Sequence, residues 1–450
     1  MKIAMCASEV VPFAKTGGLA DVVGALPLAL EKQGQEVVII MPRYKGIKER
    51  IATIGQNIKV YFIDSDIYFK RDYLYGDKNG DYIDNLERFS YYCKEALKLL
   101  EEIKFKPDII HLHDWQTALI PVYLKTLYQK SKFYKHTHTL LTIHNLGYQG
   151  LFPKKEFPGL GLDWSLFNIE GLEFYGQINI LKGGLEFADL INTVSPTYSR
   201  EIQTESLGFG LEGILNKRHD SVFGILNGLD YNIWNPQTDK FISQNFSSQN
   251  LKARSKNKED LQRQCSLPVE KDIPLLGMVS RLAEHKGFDI IAQALDKICH
   301  LGVQLVVLGM GDAKYHEIMQ AMLKKYPKVI SLNLRFDDPL AHKIYAGSDI
   351  FLMPSQYEPC GLGQLIALRY GAIPLVFKTG GLADTIDKNN GFVFSEYTKD
   401  DLVKTIKEAI AAFKSKSQWA GLVDRAMKCD FSWGQSAKEY IKLYEKAKAK

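Results

Sequence analysis

The sequence predicts an α/β chain built around two doubly wound parallel sheets. Three observations carry this. Short β-branched runs alternate with amphipathic stretches along most of the length; the alternation occurs as two series, one in each half; and one heptapeptide, KTGGLAD, stands at 15–21 and again at 378–384. Continuous apolar strands separated by helical segments are what a sheet covered on both faces requires.

The strands follow in order. The first half offers KIAMC (2–6), VVII (37–40), DIIHL (108–112), LLTI (140–143), LINTV (190–194) and VFGIL (222–226). The second offers PLLGMV (274–279), VQLVVLG (303–309), VISLN (329–333), DIFLMP (349–354) and AIPLVF (372–377). Residues 42–105 read as an irregular Tyr- and Asp-containing insertion that ends in a helix from Asn85 to Glu102. Residues 236–258, rich in Ser, Asn, Gln and Lys with little periodicity, read as a surface connection. The expected division is therefore 1–235 and 259–430 with a linker at 236–258. The helix at 431–450 has a composition that suits either domain.

Composition bounds the function. A chain of 450 residues, 46% hydrophobic and 24% charged, has room for two substantial cores and fits a multidomain enzyme. The balance of 57 basic against 52 acidic residues leaves only +5, and no Lys/Arg block marks a nucleic-acid or membrane partner. No apolar run approaches the roughly 20 residues of a membrane helix. No leader is expected before the strand at 2–6. Six cysteines without a CxxC pair read as reduced thiols in a cytoplasmic protein.

The chemistry-bearing residues gather after strands. Glu358 lies in SQYEPCGLGQLIALRYG (355–371), between a strand and a helix, where an open parallel sheet binds its ligands. The amides of Cys360, Gly361 and Leu362 would point outward there, towards sugar hydroxyls or a diphosphate. Glu358 could instead cap the helix. Arg281 and Lys286, in SRLAEHKG (280–287), follow another strand; two cations there suit a phosphate clamp, or a solvated basic turn. In the two KTGGLAD copies, Gly17 and Gly18, and Thr379 and Gly380, sit at strand-to-helix turns where the backbone can approach an anionic oxygen.

HLHDW (111–115) and IHN (143–145) place Asp114, His144 and Asn145 at the same kind of edge, suited to a polyhydroxylated ligand. The pairs His111/His113 and His136/His138 lack a third ligand at useful spacing, so no metal is expected. Gly309-Met-Gly311-Asp312 lacks the third glycine of a dinucleotide fingerprint, and Asp64-Ser65-Asp66 reads as a surface turn. Tyr73, Tyr75 and Tyr82 in the insertion could stack on sugar rings or belong to a loop or core.

Together these segments resemble the bacterial glycogen synthase and plant starch synthase family. The resemblance rests on KTGGLADVVGALP, HLHDWQTAL, TIHNLGYQG, ILNGLDYNIWNP, SRLAEHKG, YEPCGLGQLIALRYG and the second KTGGLAD, in order and across nearly the whole chain. It implies two Rossmann-like domains facing across a cleft, the GT-B architecture. It also implies transfer of glucose from ADP-glucose to the non-reducing end of an α-1,4-glucan, with retention and without cofactor or metal. By the same resemblance, Lys15 contacts the nucleotide-sugar donor, Arg281 and Lys286 bind its diphosphate, and Glu358 is the essential carboxylate beside the sugar. Phe336, in LRFDDPLAH, matches an aromatic position against the adenine. Departures are His285 for a frequent Gln, Gly363 for a frequent Thr and Phe336 for a more usual Tyr. UDP-glucose as donor, a small maltodextrin acceptor, or a non-catalytic glucan-binding or initiation role are the alternative readings.

Overall fold

The computed structural model describes residues 1–78 and 80–450. The chain divides into two compact units, one formed by Met1–Gly228 with Trp433–Lys450, the other by Leu229–Ser432.

Among the described residues, the first unit's main sheet has eight strands. Their order is Val222–Gly224, Leu190–Thr193, His138–Ile143, Ile109–His113, Lys2–Cys6, Glu36–Pro42, Ile58–Ile63, Ile51–Ile54. Every neighbouring pair is parallel except the last, which is antiparallel. The chain winds outward from Lys2–Cys6 in both directions, so a switch point lies between that strand and Ile109–His113. The central strands are buried on both faces, which explains their unbroken apolar sequence.

The insertion at 42–105 is less irregular than its sequence. Ile51–Ile54 and Ile58–Ile63 join the main sheet at its edge, and Asn85–Glu102 is helical as the periodicity predicts. The edge strand Ile51–Ile54 alternates exposed and half-buried residues, so it carries no continuous apolar run.

The second unit holds a six-stranded parallel sheet in the order Ile330–Asn333, Gln304–Leu308, Leu275–Val279, Ile350–Met353, Ile373–Phe377, Phe392–Phe394. Its switch point lies between Leu275–Val279 and Ile350–Met353.

Residues 236–258 are not a free linker. They belong to the second unit, whose first residue is Leu229; the Leu229 amide donates to Phe431 O at 2.7 Å. Polar composition misleads here because Asp239, Arg254, Asn257 and Lys258 are buried and paired. Lys258 Nζ lies 2.7 Å from Asp349 Oδ2, and Arg254 Nε donates to Tyr370 O at 2.9 Å. Asp239 Oδ2 meets His342 Nδ1 at 2.6 Å, beneath a Trp234 ring stacked on the imidazole. A buried charge persists only with such partners.

The helix Trp433–Lys448 returns to the first unit. Tyr440 and Tyr444 are fully buried there; Tyr444 Oη meets His111 Nδ1 at 2.9 Å, and Asn192 Nδ2 donates to Tyr440 Oη. An amphipathic helix docks where its buried hydroxyls find partners.

Candidate active site

In the second unit, the segments flanking the switch point bring Lys286 and Glu358 together. SRLAEHKG follows Leu275–Val279, and SQYEPCG follows Ile350–Met353. Gly287, at φ 85°, lets the first segment lie against the second: a Cβ there would fall 2.2 Å from Pro354 O, and the Gln356 amide donates to His285 O at 3.1 Å. Lys286 Nζ then donates to Glu358 Oε2 at 2.7 Å, and Ser355 Oγ donates to the same oxygen at 3.1 Å. Glu358 is 8% exposed, whereas Arg281 is exposed and has no ion-pair partner among the described residues. Burial first, then the Lys286 and Arg281 cations, hold the His285 imidazole below its usual range.

The glycines around this cluster serve close approach. The second KTGGLAD follows Ile373–Phe377 and packs onto the Glu358 turn. A Cβ at Gly380 would lie 2.0 Å from Glu358 O, and one at Gly381 would lie 2.1 Å from Cys360 O. The Gly381 amide donates to Glu358 O at 3.2 Å. Gly361 sits at φ 75°, where a side chain is strained, and Gln364 Nε2 ties down the carbonyls of Cys360 and Gly361, each at 3.0 Å. Cys360 is buried, Leu362 caps the helix Gly363–Arg369, and Thr379 is buried ahead of Gly380–Thr385. Gly309 and Gly311 are explained the same way. Their backbone runs against Ser280 O and Leu282 O, at distances no Cβ tolerates, and so shapes the Arg281 turn. Phe336 stands on the loop after Ile330–Asn333, 91% exposed.

In the first unit, the loops after Lys2–Cys6, Ile109–His113 and His138–Ile143 form a second cluster. Asp114 adopts φ 57°, unusual for a residue with a side chain, and its Oδ1 accepts from the His144 amide at 2.7 Å. Burial raises its carboxyl to about 7, against the His144 and Asn145 amides, which pull it down. Asn145 Oδ1 accepts from the Gly147 amide at 2.9 Å. His144 Nε2 meets His113 Nδ1 at 2.9 Å, and burial holds His144 at about 3.

The first KTGGLAD differs from its twin. Gly17 and Gly18 face open space, with nothing within 4 Å of a hypothetical Cβ. The buried Glu9 carboxylate takes the amides of Thr16 and Gly17 and the Thr16 hydroxyl. These two amides are therefore not free for a ligand. The exposed Lys15 Nζ pairs with the half-buried Asp21 Oδ1 at 2.7 Å.

The three tyrosines of the insertion part company. Tyr75 Oη donates to Glu9 Oε1 at 2.6 Å and bonds Ser8 Oγ at 2.7 Å, so its hydroxyl braces the Lys15 loop. Tyr82 lies under the guanidinium groups of Arg71 and Arg88, 4.7 and 5.0 Å from the ring centre. Tyr73 alone is open, at 62% exposure. Asp64 and Asp66 are held by Arg43 and Lys70. Among the described residues, no group of three His, Cys, Asp or Glu side chains is arranged to hold a metal ion.

Sequence reading missed Glu9, Ser355, Gln364 and the bonding role of His113. Only Glu9 left a signal, an acid immediately after an apolar strand. Ser355 and Gln364 bond neighbours three or four positions away in the Glu358 turn, and His113 bonds the distant His144.

Comparison with known proteins covers both units. The starch synthase catalytic domain family matches residues 2–217, and the glycosyl transferases group 1 family matches residues 260–421. Glycogen synthase of Geotalea daltonii is 48% identical over 481 residues, spanning 100% of this chain and 99% of the relative. That of Syntrophotalea carbinolica is 47% identical over 478 residues, spanning 99% of each. Among solved structures, the catalytic domain of starch synthase IV from Arabidopsis thaliana, bound to ADP and acarbose, matches with TM-score 0.89. It is 34% identical and covers 100% of this chain and 99% of that one. Sucrose-phosphate synthase from Thermosynechococcus elongatus shares the fold at TM-score 0.65 and 17% identity, covering 100% of this chain and 99% of its own. The chain belongs to the glycogen synthase and starch synthase family of GT-B glycosyltransferases.

Proposed function

We propose that the protein transfers glucose from ADP-glucose to the non-reducing end of an α-1,4-glucan with retention of configuration, without a metal or other cofactor. The observation that carries this reading is the Lys286–Glu358 pair and Arg281, which has no ion-pair partner among the described residues, at strand ends flanking the second unit's switch point. Breaking the bond between sugar and diphosphate builds negative charge on the leaving group and positive charge on the sugar. Arg281 and Lys286 meet the first charge. Lys286 has three N–H donors, so it can serve Glu358 and a phosphate oxygen together. Glu358, anchored by Ser355 and Lys286, meets the second. Phe336 offers an exposed ring for the adenine, and Lys15, Asp114, His144 and Asn145 contact the donor. Cys360, Gly361, Leu362, Thr379 and Gly380 shape the backbone beside Glu358. None of the six cysteines is in a disulfide, which supports a cytoplasmic setting. No helix among the described residues is long and apolar enough to cross a membrane.

Incubation with glycogen and either ADP-glucose or UDP-glucose tests the reading. ADP release with lengthening of α-1,4 chains is expected. Preferential use of UDP-glucose overturns the donor assignment, and no nucleotide release from either overturns the function.

A further inference from the structure

His113 and His144 meet edge to edge. His113 Nδ1 lies 2.9 Å from His144 Nε2, the ring centres are 5.2 Å apart, and the planes are 30° apart. The centre distance exceeds the nitrogen distance by about two ring radii, so the rings share a near-common plane, as a hydrogen bond between ring nitrogens needs. Stacking face to face would bring the centres closer.

Such a bond carries one proton and has two arrangements. His113 donates from Nδ1 to a bare His144 Nε2, or His144 donates from Nε2 to a bare His113 Nδ1. Burial holds His113 well below its usual range and His144 at about 3, so each ring is neutral and carries a single proton. The other nitrogen of His113 discriminates between the two. His113 Nε2 is buried without a hydrogen-bond partner among the described residues. Its neighbour His111, tilted 36° with ring centres 4.2 Å away, cannot serve it. Both His111 nitrogens are engaged, Nε2 by Thr142 Oγ1 at 2.7 Å and Nδ1 by Tyr444 Oη at 2.9 Å. In the second arrangement, the sole proton of His113 would sit on that buried Nε2 with nothing to accept it. Orphaned buried N–H groups are rare, and the first arrangement avoids one.

We propose that His113 is a positioning residue whose Nδ1–H donates to His144 Nε2, fixing His144 as the Nδ1–H tautomer. Its free nitrogen then carries a hydrogen-bond donor for a hydroxyl or phosphate oxygen of the sugar nucleotide, and His144 acts as a neutral donor, not as a general base. The last clause rests on the proposed function; the tautomer itself does not.

The test reads the native protein first. In histidine labelled with ¹⁵N, long-range ¹⁵N–¹H correlation should show His144 Nδ1 as the protonated nitrogen and Nε2 as the bare one, assigned by loss of the signals in His144→Gln. The reverse pattern overturns the proposal whether or not the protein turns over ADP-glucose. Turnover supplies the second arm. Asn at 113 retains an amide donor and Leu retains none. His113→Leu should lower kcat/KM for ADP-glucose about tenfold or more, the scale of one lost buried hydrogen bond, and His113→Asn should recover most of it. Equal losses in both variants would mean that His113 only fills space, which also overturns the proposal.

Discussion

Lys286 Nζ sits 2.7 Å from Glu358 Oε2, and this pair joins the two segments that end the strands at the second unit's switch point. The carboxylate is buried and the ammonium is four-fifths covered, so removing one partner leaves the other short of compensation. Lys286→Met should destabilise the protein by about 2 kcal/mol and abolish turnover. Adding Glu358→Gln should restore most of the stability and none of the activity. Denaturant midpoints and ADP release read the two effects separately.

Two identical heptapeptides should respond oppositely to the same substitution. Gly18→Ala meets open space at the first residue of the helix Gly18–Lys32 and should leave the urea midpoint nearly unchanged. Gly381→Ala drives a methyl into Cys360 O and should cost about 2–3 kcal/mol, with loss of activity as the Glu358 turn shifts. Equal tolerance at both positions would contradict the packing described.

Glu9 braces the loop that carries Lys15 through Thr16, Gly17 and Tyr75. Glu9→Gln replaces an acceptor-only group by one that also donates, so the bonds from Thr16 and Tyr75 cannot all survive. The expected result is a several-fold rise in KM for ADP-glucose with a smaller change in kcat. A change confined to kcat would argue against a bracing role.

Stability should depend on pH through the first unit's cluster, with opposing signs. His111 and His144 are held at about 3 by burial, below the usual 6.5, so the unfolded chain binds more protons between these values. Stability from these groups is present above pH 6.5 and is lost as pH falls towards 3. Asp114 is raised from 3.8 to about 7, so there the folded state binds more protons and stability falls as pH rises through that window. His111→Gln should flatten the loss of urea resistance between pH 6 and 4, by about 1 kcal/mol per pH unit at most. Asp114→Asn should steepen it.

The central strands were legible because a strand buried on both faces must be apolar throughout, as in VVII and VQLVVLG. Ile51–Ile54 was not, since an edge strand with one open face needs no such run. Residues 236–258 misled for a related reason. Arg254 and Lys258 look like surface residues, and only the distant Asp349 and Tyr370 make their burial tolerable. At the site, Glu358 and Lys286 were legible as residues next to strand ends, but their pairing was not. Gly287 sets it by admitting Pro354, a contact 67 positions away in sequence (354 − 287). Tyr75 and Tyr73, two residues apart, differ because Glu9 and Ser8 capture one hydroxyl and Phe89 packs on its ring.

The return of Trp433–Lys448 to the first unit sets an order of assembly during synthesis. The ribosome must complete all of Leu229–Ser432 before the helix that covers His111 and Asn192 exists. The second unit is thus a finished insertion within an unfinished host, and it can fold on its own schedule. Until Tyr440 and Tyr444 arrive, the histidine-bearing strands lie open on one side. A nascent chain stalled just before residue 433 would already hold every residue of the Glu358 cluster, yet lack the last layer over His111.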